Sequence, residues 1–129
     1  MSRVKNIVGM IAGGVMALSS GAHSFLGWPV VETRLKAAAV PPDLLTGMNI
    51  IWQFGGLAML TFALIAMTLF LKRLRGELVT LLPAAIIAVA YVAVGAWAFF
   101  TADFEPFYFI FIVPGLLLAF ASLLRENEI

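Results

Sequence analysis

The sequence predicts an all-α integral membrane protein, a four-helix bundle with up-down-up-down topology and both termini in the cytoplasm. Of its 129 residues, 63% are hydrophobic and only 12% are charged, about half the charged share of a soluble domain. The hydrophobic residues form four continuous runs, and about 20 apolar residues suffice for a helix to cross the hydrocarbon core. The strict polar–apolar alternation of a β-barrel is absent. Helices are therefore expected, because they satisfy every backbone amide inside their own segment.

The predicted spans follow the apolar runs in order, at residues 6–28, 46–71, 78–101 and 107–124. The first run has no acidic or basic side chain except His23, and the other three runs have none. The connecting segments are too short to fold alone, so the chain is expected to form one transmembrane domain. A charged loop is expected between the first two spans. Between the second and third, residues 72–77 predict a tight turn whose basic flank contacts anionic lipid headgroups.

The beginning of the chain also has the pattern of a secretory signal peptide. Arg3 and Lys5 precede an apolar run that reaches Ser20-Gly21-Ala22, a segment of small residues typical of a cleavage site. The apolar run continues past this segment as far as Trp28. An uncleaved first span is therefore the prediction.

The distribution of basic residues predicts the orientation in the membrane. Six of the eight lysines and arginines fall on the side of the termini, namely Arg3, Lys5, Lys72, Arg73, Arg75 and Arg125. Only Arg34 and Lys36 fall on the opposite side. Because loops rich in lysine and arginine stay in the cytoplasm, both termini are placed there. The predicted location is the bacterial inner, or cytoplasmic, membrane, which the chain crosses as a multi-pass protein.

Stripes of small residues predict where the helices pack against each other, since membrane helices associate through close packing. In span one the stripe has a spacing of four residues and consists of Gly9, Gly13, Ala17 and Gly21. In span three the spacing alternates between four and three, along Ala84, Ala88, Tyr91, Gly95, Ala98 and Ala102. Both stripes are expected to be helix-contact faces.

Polar side chains within or near the spans predict a pocket that opens on the outer side of the membrane. The candidate ligand-binding residues are His23, Asn49, Trp52, Gln53 and Tyr91 in the spans, with Glu32, Asp103 and Glu105 in the loops above them. Asn49 and Gln53 are four residues apart and therefore share one helical face. The cytoplasmic half of the bundle is expected to be almost purely apolar. Intramembrane polar groups usually face the bundle interior and are candidates for function.

Three interpretations of His23 remain open. In the favoured one, its ring hydrogen-bonds to Asn49, Gln53 or a serine and fixes the contact between the first two spans. In the second, it belongs to a site for a small molecule or a lipid headgroup. The third is a metal site with Glu32, Asp103 or Glu105, but one histidine and loop carboxylates lack the spacing of a metal motif. Cysteine is absent, which excludes disulfides and thiolate ligands. No metal and no cofactor is predicted.

Two short segments carry a resemblance to a known group of proteins. The segment His23-Ser24-Phe25-Leu26-Gly27, followed in the second span by Trp52-Gln53, is similar to small uncharacterised bacterial four-span membrane proteins. Several of these have His-Ser-x-Leu-Gly at the end of the first helix and Trp-His in the second. The resemblance implies the four-span fold and no activity. Gln53 replaces the second histidine of that pattern, which argues against a metal or haem held by two histidines.

The composition favours a non-enzymatic function. Hydrolase, kinase and P-loop motifs are absent. The net charge of +1 and the lack of a large basic patch argue against a nucleic-acid partner. We therefore expect a small polytopic membrane protein that binds a partner subunit or an apolar or amphipathic ligand through the outer polar pocket. The alternative is a small transporter that works as a homo-oligomer. A membrane enzyme with His23 as general base is the third hypothesis.

Overall fold

The computed structural model describes residues 2–123, and this part of the chain contains helices and turns but no strand. The helices are α1 (Arg3–Gly21), α2 (Trp28–Ala37), α3 (Pro42–Leu74), α4 (Leu82–Thr101) and α5 (Phe109–Leu123). A π-helical turn (Ala22–Gly27) joins α1 to α2 without a break, and a short 3₁₀ turn (Pro106–Tyr108) precedes α5. The predicted end of span four at Leu124, and Arg125 beyond it, lie outside the described residues.

Four continuous helical segments of the described chain are long and apolar enough to cross a membrane, as the sequence predicted. They are Arg3–Ala37, Pro42–Leu74, Leu82–Thr101 and Pro106–Leu123. The first of them runs unbroken through Ser20-Gly21-Ala22, the segment with the pattern of a cleavage site. Within the described residues, the all-α class and the presence of four helices able to span a membrane are thereby confirmed.

The charged loop expected between the first two spans is wrong, because this segment is helical except at residues 38–41. Glu32 and Lys36 form an ion pair of 2.8 Å one helical turn apart, which supports the helix that their charges seemed to interrupt. Ala39 then ends α2 in the left-handed region, with φ of 55°. Pro42 supplies the first residue of α3, where a missing amide hydrogen costs little.

Each membrane-crossing helix packs against its neighbours in the chain, and the first also packs against the last. Helix α1 packs along α3 and α5, and α4 packs along α5, whereas α3 and α4 contact each other sparsely. Helix α2 contacts α3 and the π turn, and within the described chain it touches neither α4 nor α5. The bundle is therefore tight on three sides and loose between α3 and α4.

The small-residue stripe of α4 is a contact face, whereas that of α1 is one only in part. A β-carbon on Gly95 would lie 3.0 Å from the Ile112 amide nitrogen, and one on Gly13 would lie 3.3 Å from the Ala63 carbonyl oxygen. A β-carbon on Gly21 would have no neighbour within 4 Å. Steps of four residues drift about 40° each around a helix of 3.6 residues per turn, so the stripe leaves the contact face before Gly21. Alternating steps of four and three hold the direction to within about 20° per heptad.

The two pairs of helices differ in length. The first long helix has 35 residues and α3 has 33, whereas α4 has 20. At 1.5 Å per residue the first is about 52 Å long, roughly 20 Å more than the hydrocarbon core requires. The excess lies at the end formed by α2, because α2 has no contact with α4 or α5 within the described chain. We call residues 28–50, which comprise α2, the turn after it and the beginning of α3, the projecting hairpin.

The opposite end of the bundle is more polar than the sequence predicted. Helix α3 ends at Leu74 in the tight turn that was expected, with Gly76 at φ of 86° and a hydrogen bond of 3.0 Å from the Glu77 amide to the Lys72 carbonyl. Asn6, however, is buried between the helices here, and the Nε atom of Arg73 is also buried. The expectation of an almost purely apolar cytoplasmic half is therefore wrong for this end.

Candidate functional site

The π-helical turn that contains His23 forms at the base of the projecting hairpin. A π turn has hydrogen bonds between residues five apart and a wider backbone than an α-helix, and such turns occur often at functional sites. Pro29, two residues after the end of this turn, has no amide hydrogen to donate to the Phe25 carbonyl. The wider turn accommodates this proline and lets the helix continue into α2 without a break.

His23 and Trp52 hold each other across the interface between the π turn and α3. The His23 Nε2 atom lies 3.0 Å from the Trp52 carbonyl oxygen, and the Trp52 Nε1–H donates to the His23 carbonyl oxygen over 2.8 Å. Since a carbonyl only accepts, Nε2 carries the proton in the first of these bonds. The two rings are stacked, with centroids 4.3 Å apart and planes within 4°. Two hydrogen bonds and one ring stack therefore join the first two spans.

We call the contact formed by these two hydrogen bonds and the ring stack the joint. Three glycines allow the π turn and α3 to approach closely enough for it to form. A β-carbon on Gly27 would lie 3.1 Å from the Trp52 ring, and one on Gly55 would lie 3.4 Å from the His23 Nε2 atom. A β-carbon on Gly56 would collide with the Ser24 hydroxyl. Because each glycine brings one helix closer to the other, larger residues at these positions would separate the two rings.

His23 lies at the contact between spans one and two, as predicted, but its hydrogen-bond partner is none of those predicted. The ring bonds to the backbone carbonyl of Trp52 rather than to the side chain of Asn49, Gln53 or a serine. Its Nε2 atom is engaged and one of its faces is covered by the indole. With the proton on Nε2, Nδ1 is the nitrogen with the free lone pair. The structural role of His23 therefore rests on the hydrogen bond and the ring stack, and not on the lack of a basic nitrogen.

The two amides of the predicted pocket bond to each other on the surface of α3. Gln53 Nε2 donates to Asn49 Oδ1 over a long 3.4 Å, and the Gln53 side chain is exposed. They share one helical face, as their spacing predicted. Asn49 lies at the end of the projecting hairpin and Gln53 just beyond it, so this face lies at the base of the hairpin.

Tyr91 lies in the core of the bundle rather than with the other candidate residues. It is 5% exposed, and its ring packs edge-on against Phe62 of α3 and tilted against Phe111 of α5. Its buried hydroxyl has no hydrogen-bond partner among residues 2–123. The contact with Phe62 places the Tyr91 ring at the loosely packed side of the bundle, between α3 and α4.

The loop carboxylates do not join His23. Glu32 pairs with Lys36 on α2, and Glu105 accepts a hydrogen bond of 3.3 Å from the Phe107 amide at the start of the 3₁₀ turn. Asp103 occupies the turn after α4 with φ of 53°. Across the described part of the chain, no three histidine, aspartate or glutamate side chains are grouped to hold a metal ion. The eight candidate residues therefore divide among separate sets of contacts.

The packing of Trp28 at this joint was not predicted from the sequence. Trp28 is 7% exposed, and its ring lies 6.1 Å from that of Trp52. A tryptophan at the end of an apolar run is usually an interfacial anchor, so its packing role was not visible. The adjacent glycines Gly55-Gly56, directly after Trp52, were the available signal of a close helix approach.

Comparison with known proteins gives no significant match to a protein family, to a curated protein or to a solved structure. The functional conclusion therefore depends on the contacts within this chain.

Proposed function

We propose that the protein is a non-enzymatic membrane subunit that binds a partner membrane protein through the projecting hairpin. The observation that carries the proposal is the hairpin itself: two helices extend about 20 Å beyond the length needed for the bilayer. In the described chain α2 has no contact with α4 or α5. An extension that, within the described residues, packs only against α3 and the π turn leaves most of its surface open to an external contact.

The surface of the hairpin has the mixed character of a binding site. Val30, beyond the predicted first span, is 54% exposed, and Ile50, near the outer end of the predicted second span, is 65% exposed. A shallow groove of about 420 Å³ on α2 is lined by Pro29, Val30, Thr33 and Arg34. Apolar side chains beside exposed charges are typical of a protein–protein contact, where an apolar centre is surrounded by a polar rim.

The joint between His23 and Trp52 supports the proposal because it makes the hairpin rigid. A preorganised surface loses less conformational entropy on binding than a flexible one does. The same joint unites the two segments on which the resemblance to bacterial four-span proteins depends, since His23, Ser24 and Gly27 all lie against α3. We propose that this motif preserves the joint in such proteins rather than a catalytic site.

We further propose an up-down-up-down topology with both termini in the cytoplasm of a bacterial inner membrane. Two contacts support it: Gly9 lies against Phe70, and Gly27 lies against Trp52, so α1 and α3 run in opposite directions. The distribution of basic residues supports the orientation. With this topology the hairpin projects outside the cytoplasm.

The absence of cysteine offers a direct test of the orientation. Ala38→Cys in the hairpin turn should react with an impermeant maleimide added to intact cells, whereas Arg75→Cys should react only after lysis. The reverse pattern would place the hairpin in the cytoplasm and overturn the proposed orientation.

A small oligomeric transporter is the second candidate, and Tyr91 is the observation that favours it. Its hydroxyl is buried without a partner in the described chain, beside the loosely packed α3 and α4. An unsatisfied polar group inside a membrane is costly and often marks a solute pathway. Substrate uptake that depends on the Tyr91 hydroxyl would favour this candidate over partner binding.

Native mass spectrometry of the protein released from its own membrane tests the leading proposal. We expect a second protein mass on the wild-type chain, and we expect Val30→Glu in the groove to remove it. Ala37→Glu, which adds the same charge at the exposed end of α2, is the matched control and should retain the partner. A spectrum of the chain with lipid alone, or equal loss from both variants, would contradict the proposal.

A further inference from the structure

A cavity at the basic end of the bundle, far from the projecting hairpin, has the composition of a phosphate site. It has a volume of about 560 Å³ and opens between the start of α1 and the turn after α3. Its polar wall includes Arg3, Asn6, Arg73 and Glu77. The pairing of α1 with α3 thus brings two guanidinium groups to one cavity, that of Arg3 from α1 and that of Arg73 from α3.

The cavity lacks an acceptor for at least one of its donors. The Nε atom of Arg73 is buried and has no hydrogen-bond partner within residues 2–123. Asn6, which lines the same cavity, is only 4% exposed. A buried donor without an acceptor is unfavourable, and arginine binds phosphate oxygens through several directed hydrogen bonds. Arg73 lines the cavity, so an oxyanion there is placed to accept from its guanidinium group.

The apolar part of the wall indicates where the phosphate comes from. Ile7 and Leu78 line the cavity and are 43% and 98% exposed, so they offer an apolar surface beside the two arginines. Free phosphate has no apolar group that could cover this surface, whereas a phospholipid covers it with its acyl chains. The position at the basic end of the spans is the depth of lipid headgroups.

Glu77 narrows the choice of headgroup. Its carboxylate lines the same cavity as the two arginines, so the wall has two positive charges and one negative charge. A carboxylate repels an anionic headgroup and attracts an ammonium group. We infer that this cavity binds a phosphatidylethanolamine, with the phosphate at Arg3 and Arg73 and the ammonium group at Glu77.

Titration of the full-length protein with short-chain phosphatidylethanolamine, followed by native mass spectrometry, tests the inference. Arg73→Gln should weaken binding about tenfold or more, since a hydrogen bond to a charged group is lost. Arg75→Gln is the matched control, because Arg75 is exposed, lies in the same turn and does not line the cavity. It should bind like the wild type. Equal weakening by both variants would reveal only diffuse attraction and overturn the site.

Two further arms identify the ligand. Glu77→Gln should reduce the preference for phosphatidylethanolamine over phosphatidylglycerol, and an unchanged preference would contradict the role of the carboxylate. Inorganic phosphate should not displace the lipid at equal concentration, and displacement would assign the cavity to free phosphate instead. If Arg73→Gln fails to fold in detergent, Arg3→Gln replaces it with the same expected result.

Discussion

His23 and Trp52, 29 residues apart in the chain, each give a side-chain hydrogen to the other's backbone carbonyl. The bonds measure 3.0 and 2.8 Å, and the rings between them are parallel. Reciprocal bonds of this kind fix the rotation and the height of one helix relative to the other. The pair therefore sets the geometry of the projecting hairpin above it.

The first prediction concerns the energy of this pair. His23→Leu should lower the free energy of unfolding by about 1–2 kcal/mol, because the Trp52 carbonyl loses its donor and the stack is lost. Trp52→Phe should have a similar effect through the His23 carbonyl. The loss of unfolding free energy in the double variant should be smaller than the sum of the two single losses by about 0.5–1.5 kcal/mol, which is the coupling expected of a stacked pair. Unfolding in detergent measures all three.

Trp97→Phe is the control for this cycle, since Trp97 is 69% exposed and should tolerate the change. Strictly additive effects at His23 and Trp52 would show that the two side chains do not interact.

Half of this site was predictable from the sequence. The polar side chains of His23, Asn49 and Gln53 in two apolar runs indicated a contact between the first two spans. The partner atom was not predictable, because it is a backbone carbonyl, and sequence patterns report side chains only. Asn49 and Gln53 were expected to face the bundle because buried amides usually do, but their side chains satisfy each other at the surface.

The second prediction tests the tight turn that makes the hairpin continuous. Ala39 has φ of 55°, a conformation that costs a residue with a β-carbon about 1–2 kcal/mol. Ala39→Gly should therefore raise the free energy of unfolding by about 0.5–1 kcal/mol, after the greater entropy of the unfolded glycine is included. Ala38→Gly, at φ of −83°, should instead be neutral or destabilising. Unfolding in detergent measures both variants. Equal changes in the free energy of unfolding would indicate a flexible loop at residues 38–41 and contradict the tight turn.

The same segment explains where the sequence prediction of the fold failed. Four spans followed directly from hydrophobic runs and charge-free stretches. Residues 29–45 were predicted as a loop because they contain Pro29 and several charges, both of which usually interrupt a span. The ion pair of Glu32 with Lys36 and the π turn before Pro29 are local devices that preserve the helix.

The third prediction distinguishes two adjacent glycines in α1. A β-carbon on Gly13 would be only 3.3 Å from the Ala63 carbonyl oxygen, whereas one on Gly14 would have no neighbour within 4 Å. Gly13→Ala should destabilise by about 1–3 kcal/mol through overpacking. Gly14→Ala should be neutral or stabilising by up to about 1 kcal/mol, because alanine favours helix. Thermal unfolding in detergent is the measurement, and equal tolerance at both positions would refute the contact face.

The fourth prediction concerns the Tyr91 hydroxyl. Because this group has no partner in the described chain, Tyr91→Phe should leave the free energy of unfolding unchanged or raise it by up to about 1 kcal/mol. Tyr91→Ala should cost about 3 kcal/mol or more, since the ring packs between Phe62 and Phe111. A clear loss of stability in Tyr91→Phe would reveal a hydrogen-bond partner of the hydroxyl and would remove the observation that favours the transporter.

Photocrosslinking in the native membrane tests most directly whether the projecting hairpin binds a partner. A photoreactive residue at Ile50 is compared with one at Leu64, which lies on the same helix within the span and is 54% exposed. The proposal predicts one discrete protein adduct from Ile50, heavier than the 13.9 kDa chain, and lipid adducts alone from Leu64. An adduct of about twice the chain mass would identify a second copy as the partner. Lipid adducts alone at Ile50, or the same protein adducts from both positions, would contradict the account.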